Sequence, residues 1–373
     1  MSEAMSPMPI PFQPSLPAAP CFDAARDAWI FSRYIDVSAA LHETSLRPSS
    51  ASFEPGTPGE SPQHARLVAE VQADIAHMST PAWRTHMEQT LASRLRHERG
   101  RRRIDLVREI IHPWATTMLV TLNGGEAIYS RHLAQISERL FSGSKSNAES
   151  RQDTGRELAH GSGASEQELD RMLEGRELLL SRPMFIGLTQ TIPSFLAKAW
   201  LALLQHPGQI AQLIDDPKLM ANATEELLRY AGVVHTLYRR STRDLRIGDI
   251  PIREGQLVIL ELDSANFDPE RFDQPERLDI TRQPAGHLGL GKGLHACVGS
   301  FLARMACSVA TPILLATHPR MLPGREVQWT GNSTMLWPLS IQINFARSVA
   351  QRESPAHEST GAHIHVTSDL LAG

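Results

Sequence analysis

The chain is short of cysteine, has no long apolar run and carries little net charge, and each shortage removes a class of protein. Its three cysteines, Cys21, Cys297 and Cys307, include no C-x-x-C pair and cannot build a disulfide framework, which favours a reducing compartment. No run of about 18 apolar residues is present, so nothing in the pattern spans a membrane. The lead, Met1 to Pro20, is proline-rich and lacks the basic-then-apolar order of a signal peptide. The expected location is therefore cytoplasmic. A formal charge of −4 at pH 7 gives no global case for nucleic acid, and no Lys/Arg run alternates with aromatics. The tightest basic cluster, Arg99 to Arg103, reads as a solvated helix end. There is no P-loop, no dinucleotide-binding G-x-G-x-x-G after a strand, and no serine nucleophile elbow.

What is present is an ordinary globular composition, 41% hydrophobic and 21% charged over 373 residues, enough for a sizeable core. Residues 1–20 read as a disordered lead, 21–345 as one folded domain and 346–373 as a disordered polar tail. Helical spacing of apolar residues runs over Ala24 to Leu41, His64 to Ile75, Ala82 to Arg96, Glu109 to Leu122 despite Pro113, Glu177 to His206, and Ala221 to Tyr230. Arg47 to Pro62 and Ser142 to Ser165 read as loops. Arg240 to Leu262 reads as short strands punctuated by Gly248 and Gly255. Asn266 to Arg282 mixes charges of both signs with prolines and reads as irregular but ordered. A glycine-rich loop, Gly286 to Gly299, then leads into a helix over Phe301 to Thr317. The fold class is mainly α with a small β region.

The glycine-rich loop carries the chemistry. It reads His287-Leu-Gly-Leu-Gly-Lys-Gly-Leu-His-Ala-Cys-Val-Gly-Ser-Phe-Leu-Ala-Arg304. Its glycines permit tight turns and close backbone approach to a large flat group. Cys297 precedes a helix, where the dipole and free N–H groups favour a thiolate. Composition alone leaves two other readings open: a buried structural cysteine, or a zinc ligand that lacks further ligands near His295-Ala-Cys297.

The segment resembles the cytochrome P450 cysteine signature, F-G-x-G-x-H-x-C-x-G-x-x-L-A-R. It matches at Gly291, Gly293, His295, Cys297, Gly299, Leu302, Ala303 and Arg304, and departs at Leu290, where the family usually has an aromatic ring. The resemblance implies the triangular helical prism of that family around haem b, with Cys297 as the iron ligand and Gly291 and Gly299 shaping its bed. Glu226 and Arg229 then resemble the E-x-x-R motif, completed by Arg277 of Pro275-Glu-Arg277 as a structural triad. Arg239 is similar to the strand arginine that pairs with a haem propionate, a task that suits a planar fork. His295 and His64 are the implied partners of the propionates, while the arginine usual four residues after that histidine is Val68 here.

Counting back from Leu203-Leu-Gln-His-Pro207, Gly187-Leu-Thr-Gln190-Thr191 aligns with the oxygen-activating A/G-G-x-D/E-T segment. Thr191 is retained, and Gln190 replaces an acid. Glutamine hydrogen-bonds but cannot exchange a proton in the physiological range. Pro193 follows and removes a backbone bond to the Thr189 carbonyl, which kinks the helix. Gly187, Val233, Val234, Thr236 and Met335 are the expected substrate-pocket residues.

The implied activity is oxidation of a small, mostly apolar molecule, secondary-metabolite or terpenoid-like, with O2 and electrons from a separate ferredoxin-type protein. Two alternatives stand beside it: a peroxide-driven or non-hydroxylating haem-thiolate enzyme, and a degenerate non-catalytic partner protein. Neither nucleic acid nor membrane is an expected partner. His357, His363 and His365 read as incidental tail composition, and Cys307 as a core residue.

Overall fold

The computed structural model describes residues 16–49, 62–98, 101–124, 135–136, 180–283, 286–331 and 334–345. The proline-rich lead up to residue 15, the Ser142 to Ser165 loop, the tail from 346 and its three histidines lie outside the described residues.

In chain order the elements are β1 (Cys21–Asp23), β2 (Ala28–Phe31), α1 (Tyr34–His42), β3 (Leu46–Pro48), α2 (Pro62–Met78), α3 (Pro81–His97), β4 (Ile104–Asp105), α4 (His112–Leu122), α5 (Arg182–Ile186), α6 (Ile192–Gln205), α7 (Pro207–Asp215), α8 (Met220–Tyr230), β5 (Thr236–Ser241), β6 (Leu245–Ile247), β7 (Ile250–Ile252), β8 (Leu257–Glu261), α9 (Leu262–Asn266), α10 (Ser300–Leu315), β9 (Pro319–Met321), β10 (Gln328–Gly331), β11 (Leu336–Ser340) and β12 (Gln342–Phe345). No described helix is long and apolar enough to cross a membrane.

The helices of the sequence reading form close to their expected bounds, with one correction. Ala24 to Leu41 is not one helix: its first half makes β1 and β2, and helix begins only at Tyr34. Ala28-Trp-Ile-Phe31 is drawn into strand by parallel pairing with Leu257–Leu260 of β8, a partner more than two hundred residues away that local periodicity does not show. The sheet runs β1-β2-β8-β5-β3, so Leu46–Pro48, expected as loop, is its edge strand. A second sheet, β4-β12-β9, and the β10-β11 hairpin gather the C-terminal strands.

α6 is the axle of the helical core. Every residue from Ile192 to Leu203 is buried, and the indole N–H of Trp200 donates to Thr311 Oγ1 of α10 at 3.0 Å. Two of the proline-containing helices, α4 and α6, solve the proline problem in one way. A π-turn over Leu106–Ile111 precedes His112-Pro113, and another over Gly187–Thr191 precedes Ile192-Pro193. In each the residue before proline donates five residues back, His112 to Val107 and Ile192 to Gly187. The wider turn relieves the clash between the ring and the carbonyl four residues earlier. The expected distortion at Pro193 is thus a π-turn that ends on Thr191.

The network that anchors the rest starts at Arg229. Its guanidinium binds Glu226 through two 2.8 Å contacts and donates to the carbonyls of Asn266 and Pro275 at 2.8 Å. It also lies over the Phe267 and Phe272 rings. The third arm of the expected triad is corrected. Arg282 Nε meets Glu226 Oε1 at 3.2 Å, whereas the exposed Arg277 side chain turns to Gln274 and offers only its carbonyl to Arg229. A P-x-R spacing does not distinguish a side-chain partner from a backbone one.

Glu226→Ala is expected to cost about 3–5 kcal/mol in chemical unfolding, because it strands two arginines in the interior. Arg282→Ala is expected to cost about 1–3 kcal/mol, while Arg277→Ala stays within about 0.5 kcal/mol of wild type. Equal costs for the two arginine variants would contradict the reassigned arm.

Candidate active site

The cysteine loop is held at both ends by α8 and its surroundings. Leu288 N–H donates to Asn266 Oδ1 at 2.7 Å, and Gly291 N–H to the Leu288 carbonyl at 2.8 Å. Gly289 and Gly293 are required by close approach: a Cβ would lie 2.2 Å from the Leu228 carbonyl oxygen at the first and 2.3 Å from that of Leu41 at the second. Gly291 and Gly293 also have φ of +66° and +70°, where a side chain is strained. Cys297 N–H donates to the Leu290 carbonyl at 2.9 Å, which turns the thiol away from the loop core.

Glu225, adjacent to Glu226, clamps the loop from both sides. Its carboxylate meets Arg304 at 2.6 and 2.9 Å and His287 Nε2 at 3.1 Å. Burial would raise its pKa, but the bonds from His287 and Arg304 prevail and hold it at about 2. Glu225 stands one turn before Arg229 in sequence yet takes its partners from the loop; the signature arginine, Arg304, was the missed clue.

Cys297 is exposed on the wall of a cavity of about 320 Å³. Surrounding protein raises its thiol pKa by desolvation, opposed by the Gly299 N–H and the charge of Arg304. Those two groups are what stabilise a thiolate once a cation is present to offset the burial. The wall otherwise consists mainly of apolar side chains from α2, α5, α6 and the segment after α8.

Many expected residues meet at this cavity. Thr191, Gly187, Val233, Val234, Arg239, Gly291, His295, Cys297 and Gly299 all line it. His64 sits edge-on to His295, ring centroids 4.5 Å apart, with Nε2 at 3.3 Å from the Leu294 carbonyl. Three expectations are corrected. Gln190 is buried but lies off the wall, because one helical step turns it away from Thr191. Thr236 pairs with Glu261 in the sheet and Met335 bridges to Val234, so neither lines the cavity. Leu290, in place of the usual aromatic ring, does line it.

Charge at the cavity's edge is one-sided. Burial lowers the Arg239 guanidinium to about 10, and no described carboxylate pairs with it. His295 is pushed down to about 4 by burial first, then by the charges of His64, Arg239 and Arg47. Arg47 was missed because the sequence reading placed it in a loop, whereas β3 pairs it with Arg240. A buried guanidinium without a counter-charge is costly. Arg239 therefore fits a ligand that brings a carboxylate to this edge, as haem does, and Cys297 offers the soft donor that iron takes.

A thiol ahead of a helix, on the wall of an apolar cavity that also carries a buried guanidinium and an alcohol on a distorted helix, fits a flat, acidic metallocofactor. Comparison with known proteins makes the class specific. The cytochrome P450 family model matches residues 208–339. Cytochrome P450 107B1 of Saccharopolyspora erythraea is 30% identical over 333 residues, 79% of this chain and 82% of that protein. 6-Deoxyerythronolide B hydroxylase of the same organism is 26% identical, covering 83% of this chain and 87% of that one. The structure of the P450 monooxygenase TamI has a TM-score of 0.69 at 25% identity, covering 85% of this chain and 84% of that one. Bacillus megaterium CYP109E1 with corticosterone has a TM-score of 0.71 at 19% identity, over 88% and 95% of the two chains, a likeness of fold alone. The chain belongs to the cytochrome P450 family, whose members are haem-dependent oxidoreductases.

Glu225 gives a pH prediction. Its carboxyl titrates near 4.5 when unfolded and about 2 when folded, so its contribution is full above 4.5 and is lost as the pH falls toward 2. Glu225→Gln is therefore expected to cost about 1–3 kcal/mol at pH 7, with the gap to wild type closing across that acid window in urea unfolding. A gap independent of pH would contradict the ionised clamp.

Proposed function

We propose that the chain binds haem b through the Cys297 thiolate and oxidises a small, mostly apolar molecule with O2, using electrons from a separate ferredoxin-type protein. The observation that carries this reading is the convergence of Cys297, the buried Arg239 guanidinium and Thr191 on one apolar cavity. When bound, haem supplies the activation of oxygen that no side chain provides.

The chain's own residues do the remaining work. Arg239, with His64, His295 and Arg47 beside it, would hold the propionates. The Gly299 N–H and Arg304 would favour the ionised form of Cys297 once iron offsets the cost of its burial. Phe195, Val233, Val234 and Leu290 exclude water and present an apolar face, which selects substrates by shape and hydrophobicity. Thr191 presents a hydroxyl on the wall of the same cavity. The printed name of one relative, 6-deoxyerythronolide B hydroxylase, supports a secondary-metabolite-like substrate. One observation favours a second reading, peroxide-driven turnover: Gln190 is no acid and is turned off the cavity wall.

The ligand assignment separates two cysteines. Cys297→Ser is expected to abolish the thiolate absorption signature and oxidative turnover. Cys307→Ser is expected to keep both, because Cys307 is buried against Thr311, 3.7 Å away, and faces no cavity. Equal effects would overturn the assignment.

A further inference from the structure

The candidate site leaves one strongly charged surface unexplained. The chain carries a formal charge of −4 at pH 7, yet exposed arginines crowd the end of α10 that lies away from Cys297. Arg96 is on the last turn of α3, Arg101, Arg102 and Arg103 follow that helix, Arg108 is on the first π-turn and Arg320 on β9. Arg101 takes both Glu98 and Glu109. Among the described residues no carboxylate pairs with Arg96, Arg102, Arg103, Arg108 or Arg320. Arg103 and Arg108 meet neutral amides instead, Gln342 Oε1 at 2.7 Å and Gln328 Oε1 at 3.5 Å.

Packing gathers these residues from separate elements. Arg94 donates to the Glu109 carbonyl at 3.1 Å, which ties the end of α3 to the π-turn that carries Arg108. Arg320 stands opposite Asn344 of β12. Gln342, the partner of Arg103, is two residues from Asn344, so both arginines share one face of the β4-β12-β9 sheet. Beside them an apolar groove of about 380 Å³ runs between α3 and α10, with Ala92, Leu95 and Arg96 on one side and Pro312, Ile313 and Ala316 on the other. The dipole of α3 accounts for a cation at Arg96, but not for the four arginines outside its last turn. Like charges gathered on one surface repel, and the set is costly until an anion joins it.

We infer that this surface docks an acidic protein segment, which seats an apolar side chain in the groove and sets carboxylates on the surrounding arginines. An apolar centre rimmed by arginine is the anatomy of a protein interface, and the planar fork of arginine matches a carboxylate. A bilayer suits the surface less, because none of the exposed large apolar side chains lies on it. Nucleic acid suits it less, because no exposed aromatic ring is there to stack a base. The 16 residues of α10 span about 24 Å and separate this surface from Cys297 at the other end. The segment therefore anchors the enzyme to its partner without covering the cavity.

The test uses the full-length chain and a fluorescent peptide of glutamates that carries two leucines four residues apart, read by anisotropy. Saturable binding is expected at about 50 mM salt, with loss of most of the affinity at about 300 mM. A control peptide with serine in place of both leucines is expected to bind about tenfold more weakly or worse, the loss of one buried apolar side chain. Ala316→Glu, at an exposed groove position, and the double variant Arg103→Glu with Arg320→Glu are each expected to weaken binding about tenfold. Circular dichroism and thermal unfolding of both are expected to match wild type. No saturable binding by wild type, equal binding of the serine peptide, or wild-type affinity in either variant overturns the inference. Tighter binding to phosphatidylglycerol vesicles or to duplex DNA than to the peptide overturns it in favour of those polyanions. Self-association at low salt that Ala316→Glu abolishes overturns it in favour of a second copy of the chain.

Discussion

Two consecutive glutamates on α8 hold the candidate site together. Glu226 takes Arg229, and through it the carbonyls of Asn266, Pro275 and Arg277, so the irregular 266–283 segment is fixed against the helix. Glu225, one step round, grips Arg304 after the cysteine and His287 before it. One helix thus positions the segment leading into the loop and both ends of the loop. The Glu226 network is withdrawn from water, where a charge tolerates only a narrow set of partner geometries, and the Glu225 clamp is partly so. Rigidity at Cys297 follows from that intolerance more than from the loop's own composition, which is rich in glycine.

The cavity depends on a second imbalance. Its wall is mostly apolar, yet the buried Arg239 guanidinium lines it with no described carboxylate paired to it. A folded chain carries such a cation at a cost unless an anion joins it. Arg239 is a stability liability of the protein alone and an asset of the loaded protein, because ligand binding to the folded state contributes directly to folding free energy.

Much of this was legible in the sequence where spacing is local. The cysteine loop, the Glu226 and Arg229 pair, the helix after Cys297 and the distortion before Pro193 were each read from residues within a turn or two of one another. What escaped depends on distance. Ala28–Phe31 becomes a strand only because β8 lies alongside it. Arg282 replaces Arg277 because the chain bends between them and sends one guanidinium inward. Arg47 reaches the site only because β3 joins the sheet beside β5. The C-terminal strands and α7 also went unread, being short segments whose pairing or packing is set elsewhere.

The most direct measurement is the carbon-monoxide difference spectrum of the reduced, purified protein. A strongly red-shifted main band is the predicted result, since a thiolate opposite the bound gas donates charge that imidazole or a neutral thiol does not. A band at the position of histidine-ligated haem, or no haem uptake after reconstitution, would contradict Cys297 as the iron ligand.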